Sequence, residues 1–487
     1  MDTEITEKIT NETYEAVIGL EVHAQLLTRS KLFCGCATEF GRPPNNNVCP
    51  VCMGMPGVLP VLNSHAVELA IRAGLAAHCE IAPASIFARK SYFYPDLPKG
   101  YQISQYDQPL WRGGYIELAA RDGGEPRRIR LVRIHLEEDA GKNIHTENAS
   151  LVDFNRSGVP LMEIVSEPDI RSPEEAVAYL RELRGILLCL GSSDVKMEEG
   201  SLRCDVNVSV RPRGAAELGV KTEIKNLNSF RFVEKAIAYE VNRQIEELSA
   251  GRRIPQETHL WDPVREVTRP MRSKEFANDY RYFPEPDLPP IVVPPDLVES
   301  IRAAMPELPA ERRARYVSEL GLSAYEAGVL TDECEVADYF EATLPGLRNV
   351  KAAANWVMTE VLRAVNESEK AVGETVLKPD ETGALLRMVE ESRISLNAAK
   401  IAFAAMCRSG KGAEATVAEL GLAQVSDEDA ISQACDHVLT AEASKVAEFR
   451  AGRDKLFGFF VGAVMKAMGG KANPRMVNEI LRRKLGG

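Results

Sequence analysis

The sequence has no apolar run approaching the roughly 20 residues a bilayer-spanning helix needs, which excludes a helical integral membrane protein. No charged-then-apolar leader opens it, since Met1-Asp-Thr-Glu-Ile-Thr-Glu-Lys8 is polar and acidic, and the expected location is cytoplasmic. There is no Gly-x4-Gly-Lys-Ser/Thr phosphate loop, and no Gly-x-Gly-x-x-Gly opening a helix after a strand. His-Glu-x-x-His, Gly-x-Ser-x-Gly and a Gly/Ser-rich amidase run are missing as well. Any nucleotide chemistry therefore needs a less familiar cradle. A positive charge excess is also lacking: 59 Lys and Arg stand against 71 Asp and Glu. A net charge of −12 argues against wholesale coating of nucleic acid, though it leaves room for a local basic face.

What is present fits about three domains in 487 residues. Short β-type runs at Ala16–Val22, Arg128–Ile134, Leu161–Val165, Cys204–Val210 and Val220–Lys225 alternate with helical patterns at Pro173–Cys189 and Phe232–Leu248. The pattern predicts an α+β fold with a large antiparallel-sheet cradle over 1–295, closed by the proline-rich stretch Pro284–Pro295. Beyond it only helical spacing remains, giving an all-α domain over 296–412 and a small all-α tail over 413–487. From residue 445 the tail is rich in cations: Lys445, Arg450, Arg453, Lys455, Lys466, Lys471, Arg475, Arg482, Arg483 and Lys484. Such a face suits a phosphate backbone, and an ordinary solvated helix face has the same composition.

Cys34-Gly-Cys36 and Cys49-Pro-Val-Cys52 have the spacing of two metal-binding knuckles, with Pro50 and Gly54 at the turns. Four thiolates select a tetrahedral ion such as zinc and leave no position open for substrate; the alternative is a pair of disulfides. Cys79, Cys189, Cys204, Cys334, Cys407 and Cys435 are scattered singly, the usage of a reducing compartment. Glu21 and His23 lie two apart in a strand pattern and so share a face, as a divalent-cation pair or as a hydrogen-bonded couple. His135-Leu-Glu137-Glu138-Asp139 carries three successive acids, which are either solvated or hold a cation. Asp205 and Glu223 belong to two further polar-alternating strands, and Lys90 and Lys99 to a loop that interleaves cations with aromatics.

Longer strings carry a resemblance: Val17–His23, Arg89–Gln105, His135–Lys142, Pro160–Ile170, Met197–Asp205 and Asp279–Asp287. From about residue 14 to its C-terminus the chain closely resembles the B subunits of aspartyl/glutamyl-tRNA amidotransferases. That resemblance implies a catalytic cradle with helical and tail domains, acting on Glu-tRNA(Gln) or Asp-tRNA(Asn). ATP phosphorylates the misplaced side-chain carboxylate, and ammonia then displaces the phosphate. Glutamine hydrolysis is implied to belong to an A subunit, with a small C subunit completing a heterotrimer. The misacylating aminoacyl-tRNA synthetase is a candidate further partner. Carried onto this sequence, the resemblance makes Glu21, His23 and Glu138 the magnesium shell and Lys90 and Lys99 nucleotide or acyl-phosphate contacts. Asp205 and Glu223 become additional cleft acids. Some family members lack the cysteine quartet, which implies a structural zinc. A competing expectation is a tRNA-binding scaffold whose cleft no longer turns over.

Overall fold

A computed structural model describes residues 13–119, 126–271, 280–368, 372–376, 378–424, 427–469 and 472–486; the predicted features at Met1–Lys8, Asp279 and Lys471 lie outside them. The chain divides into two compact units, Met1–Arg312 and Arg313–Gly487.

Five strands form the centre of the first unit: β1 (Tyr14–Gln25), β2 (Arg127–Glu138), β3 (Pro160–Ser166), β4 (Leu202–Pro212) and β5 (Thr222–Lys225). They run in the order β5–β4–β1–β3–β2, every neighbour antiparallel. The sheet continues past β5 through Thr258–Asp262, and this one pairing is parallel, so the large sheet is mixed rather than wholly antiparallel. Period-2 alternation gives β1 two different faces. Ile18, Leu20 and Val22 enter the core, whereas Gly19, Glu21 and His23 face the other way.

Three helices, α1 (Ser64–Ala76), α2 (Pro173–Cys189) and α3 (Phe230–Ser249), contribute to this core. Ser172 caps α2 by accepting from the Glu175 amide, with Pro173 in the first turn, and Ser229 caps α3 at the Phe232 amide. Glu240 of α3 is fully buried and binds Arg243 (2.6 Å), Gln244 (2.9 Å) and Thr268 (2.9 Å). Gln244 in turn donates to the Val208 carbonyl and to Thr222 Oγ1, both at 3.1 Å, tying α3 to β4 and β5.

The first unit extends past the expected boundary at 295. Val298 and Ile301 of the helix Pro295–Ala303 are buried in the same core as α1. Within the largely exposed proline-rich stretch, Leu288, Ile291 and Val293 pack part-buried against that core. The second unit is built from helices around two separate apolar cores. One gathers Tyr316, Leu330, Phe340, Trp356, Phe403 and Met406; the other gathers Ile431, Cys435, Phe460, Val464, Val477 and Leu481. No helix among the described residues is long and apolar enough to cross a membrane.

Candidate active site and metal centre

The polar face of the five strands is the floor of the candidate site. Strand register sets His23 opposite Glu163 on one side and Arg203 on the other, with Glu163 opposite His135. His23 Nε2 lies 3.3 Å from Glu163 Oε2 and 3.8 Å from Glu137 Oε1. His135 Nε2 approaches the same two carboxylates at 3.6 and 3.7 Å. One ligand atom each from His23, Glu137 and Glu163 falls within 4.8 Å of the others. Burial alone would raise the Glu163 carboxyl, but His135 and His23 hold it well below the usual carboxylate range. Burial would likewise depress His23; the hydrogen bond and charge of Glu163, with Glu137, push it up instead. The donor set is one nitrogen and two carboxylates, which suits a hard divalent cation that retains several waters.

Glu21 stands beside this cluster. It accepts from Asn207 Nδ2 at 3.0 Å, and desolvation together with Glu163, Glu223 and Asp205 raises its carboxyl. Asp205 and Glu223 are both engaged by Lys225, at 2.7 and 3.0 Å, and Thr258 donates to Glu223 at 2.8 Å. Lys225, which had no expected role, thus neutralises two of the expected cleft acids.

The acid run separates into three environments. Glu137 joins the His23 cluster. Glu138, one residue on, faces the other side of β2, where it pairs with Lys99 and accepts from the Ile103 amide at 2.8 Å. It lines a cavity with Lys31, Cys52, Lys99 and Gly158, and is not brought to Glu21 and His23. Asp139 is buried against Arg203 (2.9 Å), Gln25 (2.7 Å) and Arg156 (3.7 Å); despite the burial penalty, the two guanidiniums lower its carboxyl. Arg203 is thereby fixed at the His23 end of the floor. Glu163 has no expected role, and Glu137 enters the expectations only as one member of the acid run. The signal for Glu137 was available, since it is two residues from His135 just as Glu21 is from His23. Glu163, a lone acid inside Pro160-Leu-Met-Glu-Ile-Val, offered only its polarity within a buried strand.

Lys90, expected in a loop, lies within a strand of a smaller three-stranded sheet of Ala88–Ser91, Tyr101–Ser104 and Phe283–Pro284, and Lys99 just precedes its second strand. Lys90 Nζ sits 4.8 Å from the centre of the Tyr280 ring, and Tyr282 stacks on Tyr106 at 4.0 Å. Arg89 is held by Glu285 (2.7 and 2.8 Å) and Asp287 (3.1 Å) and lies over the Tyr101 ring at 4.3 Å, with Lys99 5.4 Å from the same ring.

Cys34, Cys36, Cys49 and Cys52 bring their four sulfurs within 4.8 Å of one another, and all four are free thiols. The Met53 amide donates to the Cys49 carbonyl at 3.1 Å and the Cys49 amide to Cys52 Sγ at 3.2 Å, a tight knuckle turn released by Gly54 at φ +65°. A hydrogen bond from Cys34 lowers the Cys52 thiol to about 4, while burial pushes Cys36 up to about 11. The quartet can hold a metal such as zinc.

Residues 16–299 match the model of the GatB/GatE catalytic domain, and residues 338–485 that of the GatB domain. The chain belongs to the GatB family. It is 57% identical over 469 residues to the B subunit of the aspartyl/glutamyl-tRNA(Asn/Gln) amidotransferase of Thermodesulfovibrio yellowstonii, covering 96% of this chain and 98% of that one. The corresponding B subunit of Geotalea daltonii is 56% identical (97% and 100% covered), and that of Carboxydothermus hydrogenoformans 53% (97% and 99%). GatB is the B subunit of a multi-subunit, glutamine-dependent aminoacyl-tRNA amidotransferase, so partner subunits come with the family.

Proposed function

We propose that this chain performs the amidation half-reactions on Glu-tRNA(Gln), Asp-tRNA(Asn) or both, as the ATP-using subunit of a cytoplasmic heterotrimer with an amidase A subunit and a small C subunit. The observation that carries this reading is the His23, Glu137 and Glu163 cluster on the polar floor of a GatB-family sheet.

The substrate carboxylate attacks the γ-phosphorus of ATP, ADP leaves, and an acyl phosphate forms. Ammonia then adds to the acyl carbon, phosphate departs, and one proton is released. Phosphoryl transfer of this kind is mostly positioning and charge neutralisation, so no nucleophilic side chain is needed. His23, Glu137 and Glu163 would hold the magnesium, which when bound neutralises phosphate charge. Glu21, on the same face of β1 as His23, would add a further carboxylate to that shell. Arg203, held by Asp139, offers a fixed fork for phosphate oxygens beside His23. Lys225 keeps Asp205 and Glu223 from repelling the incoming anion. Lys90 and the tyrosines around it form the wall for the nucleotide or the acceptor end. Glu138 and Lys99 pair on the opposite face of β2, away from this shell, and are assigned to the cavity beside the cysteine loop. The quartet is read as a structural zinc site, and 413–487 as the tRNA-binding tail, with a core of its own from Ile431 onward while Ala413 and Val417 pack into the preceding helical core.

The test is ATP hydrolysis by the reconstituted complex with misacylated tRNA. Turnover that collapses in Glu163→Gln while tRNA binding persists supports the assignment. A wild-type complex that binds the tRNA yet hydrolyses no ATP would make the chain a scaffold.

A further inference from the structure

Lys31 is fully buried, yet its ammonium has no carboxylate within 4.0 Å among the described residues. Its acceptors are the Phe154 carbonyl at 3.2 Å and Cys52 Sγ at 3.7 Å. A lysine withdrawn from water without a counter-charge is strongly unfavourable, so an anion is required close by. Among the described residues, Cys52 is the acidic group in contact. The two carboxylates that line the same cavity do not supply the charge: Glu138 is already paired with Lys99, and Asp287 with Arg89.

We propose that Lys31 is the counter-ion of the cysteine quartet, a positioning residue that offsets the negative charge of a tetrathiolate metal centre and fastens that centre to the loop after Asp153. A divalent ion bound by four thiolates carries two net negative charges, here in a half-buried setting with Cys52 at its buried end, and one adjacent ammonium halves them. The same ammonium holds the Phe154 carbonyl, so metal occupancy is linked through one side chain to the segment Phe154–Gly158. That segment borders Glu138: a Cβ built on Gly158 would stand 3.4 Å from Lys31 Cδ, 3.6 Å from Cys52 Cβ and 3.9 Å from Glu138 Oε2. This inference rests on reading the quartet as a zinc site and adds to it a determinant outside the four ligands.

The experiment compares the full wild-type chain with Lys31→Met, which keeps the apolar stem and removes the charge. Zinc content after purification and the rate of zinc transfer to a chromogenic chelator are the readouts. Zinc retention in Lys31→Met is expected to fall about 10–100-fold, the range for groups that support metal ligands. A second comparison places Lys31→Met in a Cys52→Ala background. There Lys31 has lost its sulfur partner, so the methionine is expected to raise the urea midpoint, whereas in the wild-type background it lowers it. Zinc retention unchanged by Lys31→Met, or an equal loss of stability in both backgrounds, overturns the proposal and leaves Lys31 a packing residue. A wild-type chain that carries no zinc overturns the quartet reading itself.

Discussion

Glu137 and Glu138 are consecutive in the chain and serve opposite faces of one strand: Glu137 Oε1 lies 3.8 Å from His23 Nε2, while Glu138 Oε1 accepts from the Ile103 amide at 2.8 Å and pairs with Lys99. Their neutral variants therefore separate. Glu137→Gln is expected to weaken Mn²⁺ binding, a spectroscopic stand-in for magnesium, by about 100-fold. Glu138→Gln is expected to leave Mn²⁺ affinity unchanged. Titration by electron paramagnetic resonance decides, and equal losses in both variants would overturn the placement of the shell.

The Glu240 network should show in the pH dependence of stability. Burial raises this carboxyl, but Arg243 and its other partners bring it below the ordinary value. A depressed folded-state value means that the stabilising contribution is present above the unfolded value of about 4.3 and is lost as pH falls through the folded one. Glu240→Gln is expected to lower stability at pH 7 by about 3 kcal/mol, because it leaves Arg243 without its partner. In urea melts that difference should shrink progressively below about pH 4.

Packing between α1 and the sheet is tight at Gly74, where an added Cβ would stand 2.2 Å from the Trp111 ring. Trp111 cannot withdraw easily, since its indole donates to the Ala70 carbonyl at 3.0 Å. Gly74→Ala should therefore destabilise by about 1–3 kcal/mol, despite the better helix propensity of alanine. Thermal unfolding of the variant measures this, and a stabilised variant would show that α1 can shift.

In the tail, Arg453, Arg475, Arg483 and Lys484 have acidic partners in Glu448, Glu479, Glu428 and Asp436. Lys455 and Lys466 form no ion pair with the described residues, which makes them the better phosphate contacts. Replacing both by alanine is expected to reduce the slope of log affinity for tRNA against log salt by about 2. Replacing Arg475 and Arg483 should change it less. Filter binding across a salt series provides the comparison.

Much was legible in the sequence because it is local. The Cys34, Cys36, Cys49 and Cys52 spacing, the shared face of Glu21 and His23, and the helix Pro173–Cys189 all follow from neighbours a few residues apart, and the long strings fixed the family. Which acid of His135–Asp139 meets His23 could not be read that way. Alternation says that Glu137 and Glu138 part company, but which of the two faces the cleft depends on the register of β2 against β3 and of β3 against β1. Glu163 and Lys31 depend on pairings more than a hundred residues apart, for which local spacing carries no signal, whereas Lys225 shares a strand face with Glu223 and meets Asp205 only through the pairing of β4 with β5. Local spacing and the long motif strings thus fix the kinds of side chain available and the family. Which carboxylates gather around His23, and which lysines they or the sulfurs neutralise, follows from strand register and long-range packing instead.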